Sequence, residues 1–503
     1  MKLTTLVLIL LAGLAVASAH AQDITIDAAA PAHPFPHFWE QMFGSGRANL
    51  ALRDAYRQDL VEVKQATDLK YVRFHAIFHD ENGVYDEDAQ GNAIYNWSYV
   101  DQIYDGLLTR GVKPFIELGF MPKKLAATDF PHAFWYRPNI SPPKDYAKWD
   151  AFMAAFARHL IERYGIEEVS SWYFEVWNEP NIGFWGGNPF QKTYWELYDH
   201  TALALKAVDK RLRVGGPSTA QAAWVGEFIK HCRDNKIPFD FASTHVYGND
   251  TADNVFGTNE AIPRDKMVCR AVKKVHEEIK ASGAPNTPLI WSEFNAAYDN
   301  TPQVTDSTYM GAWMAGTISQ CDGLVDMMSY WSFSDVFEEQ GIVKKPLYGG
   351  FGLIAAGDLP KPAYNAFKLL HQLGDQRIAV KSDQVLATRK TDGTLVVAVW
   401  NYAPSGLQQD ADKADKAKSA PITVRLKFAN TKAQSAQIAR VDGEHGDLRG
   451  AYAKMGSPVY PTMAQLKTLR EAAQLPAPEN VAIKDGTLSV ALPPQGLALI
   501  EVK

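Results

Sequence analysis

The sequence has 503 residues, 46% hydrophobic and 21% charged, which excludes bulk disorder and leaves room for a large core and more than one domain. Its formal net charge of -6, with no basic block, gives nothing to attract a nucleic-acid backbone or an anionic membrane. Aromatic content of 12%, including 13 Trp, suits a neutral, ring-shaped substrate better, because aromatic faces stack on the apolar faces of sugars.

Residues 1–21 start with a basic Lys2, pass through an apolar core from Leu6 to Val16 and end in Ala19-His-Ala21, the pattern of a secretory signal peptide. An exported protein, periplasmic or secreted and starting near Gln22, is therefore expected. No later stretch has the ~18 uninterrupted apolar residues of a membrane span. Three cysteines, Cys232, Cys269 and Cys321, allow at most one disulfide and leave one thiol over. Ile24-Thr-Ile26 alternates like a strand, and the Pro- and His-rich stretch from Ala30 to His37 reads as a linker. Residues 22–37 are predicted to pack on a C-terminal module.

From Phe38 to about Gln372, apolar runs alternate with amphipathic segments. The runs are 38–43, 71–74, 112–118, 172–177, 212–215, 239–243, 289–291 and 325–331, and helical spacing recurs at 150–163, 192–209, 223–234, 266–282 and 307–321. Eight alternating units predict an α/β fold, a (β/α)8 TIM barrel over residues 38–375. A doubly wound sheet would close at about five or six strands and carry a glycine-rich phosphate loop, which the sequence lacks. Beyond residue 375 the pattern shifts to short alternating runs, 378–380, 385–387, 395–400, 422–426, 438–441, 488–492 and 497–502. They predict an accessory C-terminal β-sandwich over 376–503, interrupted by a solvated loop or short surface helix at 410–419.

The chemistry concentrates where apolar runs stop. Trp172-Tyr-Phe-Glu-Val-Trp-Asn-Glu-Pro180 reads as a buried strand that delivers Asn178 and Glu179 to the C-terminal rim, ended by a proline with no N–H for the ladder. Leu289-Ile-Trp-Ser-Glu293-Phe-Asn does the same for Glu293. Ligands of parallel α/β folds bind at that rim, and two carboxylates there can break a glycosidic bond, one protonating the leaving oxygen and the other attacking the anomeric carbon. Trp177, Phe184 and Trp185 would supply an apolar, sugar-sized wall. The plainer alternative for Glu179 is a strand-end carboxylate that only solvates its loop.

These stretches resemble the retaining hydrolases of clan A, and the closer match is glycoside hydrolase family 39. Trp177-Asn-Glu-Pro180 and Trp291-Ser-Glu293 carry the resemblance, with Phe43-Gly-Ser-Gly-Arg47, Tyr71-Val-Arg-Phe-His75, Arg213-Val-Gly-Gly-Pro217 and Ser243-Thr-His-Val-Tyr247 in matching order. It implies a (β/α)8 barrel with an attached β-sandwich and retaining hydrolysis with Glu179 as acid/base and Glu293 as nucleophile. It also implies that Asn178 binds a sugar 2-OH and that His75 and His245 line the subsite, with Tyr247, Tyr298, Glu338 and Glu339 as weaker candidates. In the iduronidase branch a lysine follows the sixth-strand histidine by two positions and holds a uronic acid carboxylate. Here that position is Tyr247, which cannot neutralise a carboxylate, so the resemblance favours the β-xylosidase branch and xylo-oligosaccharide substrates. Arabinosidase, glucosidase, endo-acting and iduronidase relatives stay open, as does a non-catalytic carbohydrate-binding protein.

No cofactor and no metal are expected. His75, His79 and Asp80 have a metal-like composition, and a metal-dependent hydrolase built on them is the rival reading. Four-residue spacing joins ligands on a helix, however, and this stretch follows a strand. Glu117 and Glu175, inside apolar strands, read as buried partners of Arg73.

Overall fold

The computed structural model describes residues 21–407, 410–411 and 419–503. The leader expected at residues 1–21 and the loop expected at 410–419 thus lie largely outside the described residues. Eight parallel strands close into a barrel in chain order: Met42–Ser45, Tyr71–Phe74, Lys113–Glu117, Tyr173–Glu175, Arg213–Thr219, Phe241–Tyr247, Leu289–Asn295 and Met327–Tyr330. The last strand closes on the first, Ser329 opposite Met42. This is the expected (β/α)8 barrel.

Its outer helices follow their sequence signals. Tyr146–Tyr164 is capped by Asp145, whose carboxylate accepts the N–H groups of Ala147 and Lys148, and it stops at Gly165 (φ 80°). Between these signals Trp149, Phe152, Met153, Phe156, Ala157 and Leu160 recur at helical spacing and are buried. The Cys269–Cys321 disulfide joins the helices Arg264–Ala281 and Tyr309–Cys321, and Cys232 is a buried free thiol.

Two strands differ informatively from the expected runs. The first starts at Met42, not Phe38; Phe38 and Trp39 instead pack with Phe35 in a buried aromatic cluster. The sixth and seventh extend to Tyr247 and Asn295, past the apolar runs ending at 243 and 291. Ser292, His245 and Glu293 are buried within them, so apolarity alone underestimates strand length where the barrel lumen is polar.

The β-sandwich pairs a three-stranded sheet, Ala21–Asp27, Ile422–Ala429 and Thr487–Leu492, with a seven-stranded one. Leu395–Trp400 lies inside the larger sheet and is buried throughout. With a side-chain period of two, Leu395, Val397 and Val399 face the sandwich core, while Val396, Ala398 and Trp400 join the barrel's core. That central strand therefore welds the module to the barrel. Ile24 and Ile26 are buried in the sandwich core through parallel pairing with Leu426 and Phe428.

Three features depart from expectation. Part of the supposed linker, Ala32–Pro34, forms an edge strand on Gln376–Ile378, a position that tolerates Pro34. The helices Arg449–Lys454 and Met463–Ala473 interrupt the module, the second started by a capping box between Thr462 and Gln465. Asp410, expected in a solvated loop, is buried and accepts from Arg264 Nε (3.1 Å) and Nη2 (2.7 Å), because a buried guanidinium needs a countercharge.

Candidate active site

After the fourth strand the chain turns sharply, with Trp177 at φ 70° and Glu179 at φ 45°. L-residues avoid this region, so the surroundings must hold the turn. Glu179 donates its N–H to Ser218 O (2.7 Å), Trp177 Nε1 donates to Phe184 O (2.8 Å) and Tyr194 Oη to Val176 O (2.8 Å). The turn carries the Glu179 carboxyl inward over the barrel axis, where it faces Glu293 from the seventh strand.

Arg73 on the second strand organises the floor. It is fully buried and donates Nε to Glu175 Oε2 (2.6 Å), Nη1 to Glu293 Oε1 (2.6 Å) and Nη2 to Asn178 Oδ1 (2.9 Å), with Glu117 Oε2 3.2 Å from Nη2. Glu117 and Glu175 are thus its buried partners. The Tyr247 hydroxyl donates to the other oxygen of Glu293, Oε2, at 2.5 Å. Burial pushes the Glu293 carboxyl above its usual range, and Arg73 and the Tyr247 hydroxyl oppose that shift without reversing it. Both Glu293 oxygens therefore have a donor that favours the ionised form.

Glu179 has no comparable support. Burial first, and then the charge of Glu293, hold its carboxyl well above the usual range. Its Oε1 lies 3.0 Å from His245 Nδ1, while His245 Nε2 is 3.1 Å from Ser292 Oγ, whose hydroxyl donates to Glu175 Oε1 (2.6 Å). Since Ser292 spends its only proton on Glu175, it accepts from His245 Nε2–H, which leaves Nδ1 as an acceptor for the Glu179 proton. Burial holds His245 well below the usual range, so the ring is neutral. Both carboxyls are raised, Glu179 the more strongly, while Glu293 alone has Arg73 and Tyr247 opposing the rise, so the environment assigns the pair's first proton to Glu179. One oxygen of each lies within 4.8 Å of the other and of His245 Nδ1. So close an approach fits the short carboxyl separation of retaining enzymes, ~5–5.5 Å, better than the ~6.5–9.5 Å that an inverting enzyme needs to admit water.

A cavity of about 300 Å³ opens over the pair, and His75, Asn178, Tyr247, Tyr298 and Glu339 line it as well. His75 holds Glu117 through Nδ1, and burial pushes its ring down to about 3, so it is neutral. Its Nε2 faces Glu339 Oε1 at 3.6 Å. That oxygen is buried without a hydrogen-bond partner, and burial holds the Glu339 carboxyl well above its usual range, leaving a group ready for a substrate hydroxyl. His79 is apart from this set, accepting the Glu81 N–H at 3.3 Å.

Three expected ligands do not line the cavity: His245 is fully buried against Glu179 and Ser292 and acts on the pair rather than on a sugar, and Trp185 and Glu338 have other partners. Trp185 is buried edge-on against Trp177 (4.9 Å) with its indole N–H on Thr193 Oγ1 (2.9 Å); Trp177 is fully buried too, so of the expected aromatic wall only Phe184 borders the cavity. Glu338 accepts from Arg53 Nη1 (2.5 Å) and Arg47 Nη1 (2.9 Å); burial pushes it up, but the two arginines win and hold it below the usual range as a structural anion. Conversely, Trp331, Phe134, Gln221 and Asp250 line the cavity without having been singled out. Trp331 closes the eighth apolar run, and its ring packs on His75 at 4.8 Å. The ring also packs on Gly44, where a Cβ would sit 2.1 Å from it, a contact visible only in the fold.

The model of glycosyl hydrolases family 39 matches residues 22–487. A β-xylosidase from Geobacillus stearothermophilus is 35% identical over 482 residues, covering 93% of each chain. The crystal structure of a monomeric β-xylosidase from Caulobacter crescentus is 33% identical, with a TM-score of 0.85 over 96% of this chain and 99% of that one. The crystal structure of a family 39 enzyme from Xanthomonas axonopodis pv. citri, also 33% identical, gives 0.84 over 98% and 100%. With sequence and fold matched along almost their whole length, the chain belongs to glycosyl hydrolases family 39.

Proposed function

We propose that the protein is a retaining, exo-acting β-xylosidase that releases D-xylose from xylo-oligosaccharides. The carrying observation is the buried Glu179–Glu293 pair, with oxygens within 4.8 Å, in which Glu293 has Arg73 and Tyr247 as donors and Glu179 is held well above its usual range. Glu293 attacks the anomeric carbon while Glu179 gives its proton to the departing oxygen, so the glycosidic bond breaks as the glycosyl–enzyme ester forms. Water, deprotonated by Glu179, then displaces Glu293 and restores the configuration. Asn178, held by Arg73, is positioned for the 2-OH contact that strengthens as charge develops at the anomeric carbon.

The choice of sugar rests on the lining. Among the described residues it includes Glu179, Asp250, Glu293 and Glu339 and no Lys or Arg, so a uronic acid carboxylate would be desolvated against like charge. Xylose carries no group beyond C5 to be rejected. The cavity volume, about 300 Å³, is at the small end for small-molecule sites (~300–1,000 Å³), which favours removal of terminal residues. A panel of aryl glycosides tests the reading: the β-D-xyloside should be cleaved fastest and release β-xylose first, whereas faster cleavage of an α-L-iduronide would overturn it. Export is proposed as well, supported by the leader pattern and the Cys269–Cys321 disulfide. Cell fractionation checks it; protein confined to the cytoplasm would refute it.

A further inference from the structure

At the opposite end of the barrel, ahead of the first strand, His37 and Glu40 meet His371, which follows the helix Pro362–Leu370. Glu40 is fully buried, and both imidazoles approach its carboxylate through the same atom: His37 Nδ1 is 2.5 Å from Oε1, and His371 Nδ1 is 3.0 Å from Oε1 and 2.9 Å from Oε2. One donor atom from each residue lies within 4.8 Å of the other two.

We propose that His37 Nδ1, the Glu40 carboxylate and His371 Nδ1 form a binding site for a divalent cation of the Zn²⁺ class, separate from the catalytic pair. Two imidazoles and one carboxylate make a donor set suited to such an ion, which takes tetrahedral N and O ligands. Ligand atoms ~2.0–2.1 Å from a tetrahedral ion lie roughly 3.3 Å from one another. The nitrogen–oxygen separations, 2.5 and 3.0 Å from Oε1, reach that value by opening less than about 1 Å, and the two nitrogens lie within 4.8 Å of each other. The ion replaces the hydrogen bonds between the imidazoles and the carboxylate, and because all three ligands must be free of protons its binding weakens as pH falls. The His37 ring is already fixed, stacked on Trp39 at 4.5 Å, and Glu40 Oε2 also accepts the Asp68 N–H at 3.3 Å. His37 and His371 both border a cavity of about 730 Å³, which supplies an entry path and room for water as a fourth ligand. The ligands come from the chain's entry into the barrel and its exit, so the ion would clasp those two ends together.

The probes are Co²⁺, followed by its visible absorption, and Zn²⁺, followed by titration calorimetry, on the full chain freed of metal with a chelator. The expected result is one ion per chain with the intense bands of a four-coordinate Co²⁺ site. His371→Ala, at a half-exposed position, should weaken binding by more than the ~10–100-fold that changing a mere supporting residue costs. Hydrolysis of an aryl xyloside should be unchanged in that variant. Absence of one-to-one binding, or equal affinity in His371→Ala, would show that the cluster is only a protonated ion pair and overturn the proposal. The same holds for an ion lost in Glu179→Gln and competing with substrate, which would place the metal between Glu179, His245 and Glu293 instead.

Discussion

Replacing Tyr247 by Phe removes one donor from Glu293, the proposed nucleophile, and leaves the ring in place. The lost contact is a hydrogen bond of 2.5 Å to Glu293 Oε2, and Arg73 continues to hold Oε1. A hydrogen bond to a charged group contributes about 1.5–3 kcal/mol. At 1.36 kcal/mol per pKa unit, its loss should raise the Glu293 pKa by roughly 1–2 units. Burial and Glu293 itself hold the Tyr247 hydroxyl well above its usual range, so it stays a donor throughout the working range. Only the carboxylate form attacks, and it is lost as pH falls through the Glu293 pKa. The acid limb of kcat/KM, which reports the free enzyme, should therefore move upward by roughly 1–2 pH units. The base limb, set by loss of the Glu179 proton, should stay nearly still, so the bell narrows from its acid side. Aryl β-xyloside hydrolysis across the pH range measures this. An unmoved acid limb would refute the role given to Tyr247, and a shift of the base limb alone would mean that the hydroxyl acts on Glu179.

Glu179→Ala should still form the glycosyl–enzyme from a substrate with a very acidic leaving group and should yield a β-azide when azide is added; a β-azide from Glu293→Ala would mean the roles are reversed. Gly44→Ala should destabilise the fold by about 1–3 kcal/mol and raise KM, because the new methyl collides with the cavity-lining Trp331 ring; an unchanged melting temperature and KM would contradict that packing. Cys232 is buried, and burial pushes its thiol up, so a thiol reagent should find no reactive group in the native protein and one per chain after non-reducing denaturation. Prompt native-state labelling would place Cys232 at the surface.

The barrel was legible because its strands are apolar runs and its helices have caps and three-four spacing, both local properties. The glutamates were legible because each interrupts such a run. What escaped depended on distant partners. Glu338 and Glu339 are neighbours in sequence, yet Arg47 and Arg53, from the other end of the barrel sequence, claim Glu338 while Glu339 faces the cavity. Trp185 has the composition of a sugar platform, but only packing decides whether an indole faces a ligand or another indole. The helix Met463–Ala473 did have a local signal in Thr462 and Gln465, which the surrounding strand pattern masked.

The parallel pairing of Ala21–Asp27 with Ile422–Ala429 bears on the order of assembly. Asp23 and its ion-pair partner Lys427 are 404 residues apart, a separation whose loop-closure cost is about 5 kcal/mol for a flexible chain. A folded barrel spanning the gap removes most of that cost, so the strand made first should dock last. Until it does, Ile24 and Ile26 belong to an unpaired β-segment, and its partner strand has an open edge of the kind that recruits neighbouring chains. A version trimmed to begin at the barrel would keep its catalytic residues and carry that open edge permanently. Its weakness should appear as concentration-dependent aggregation while the rate per molecule stays intact.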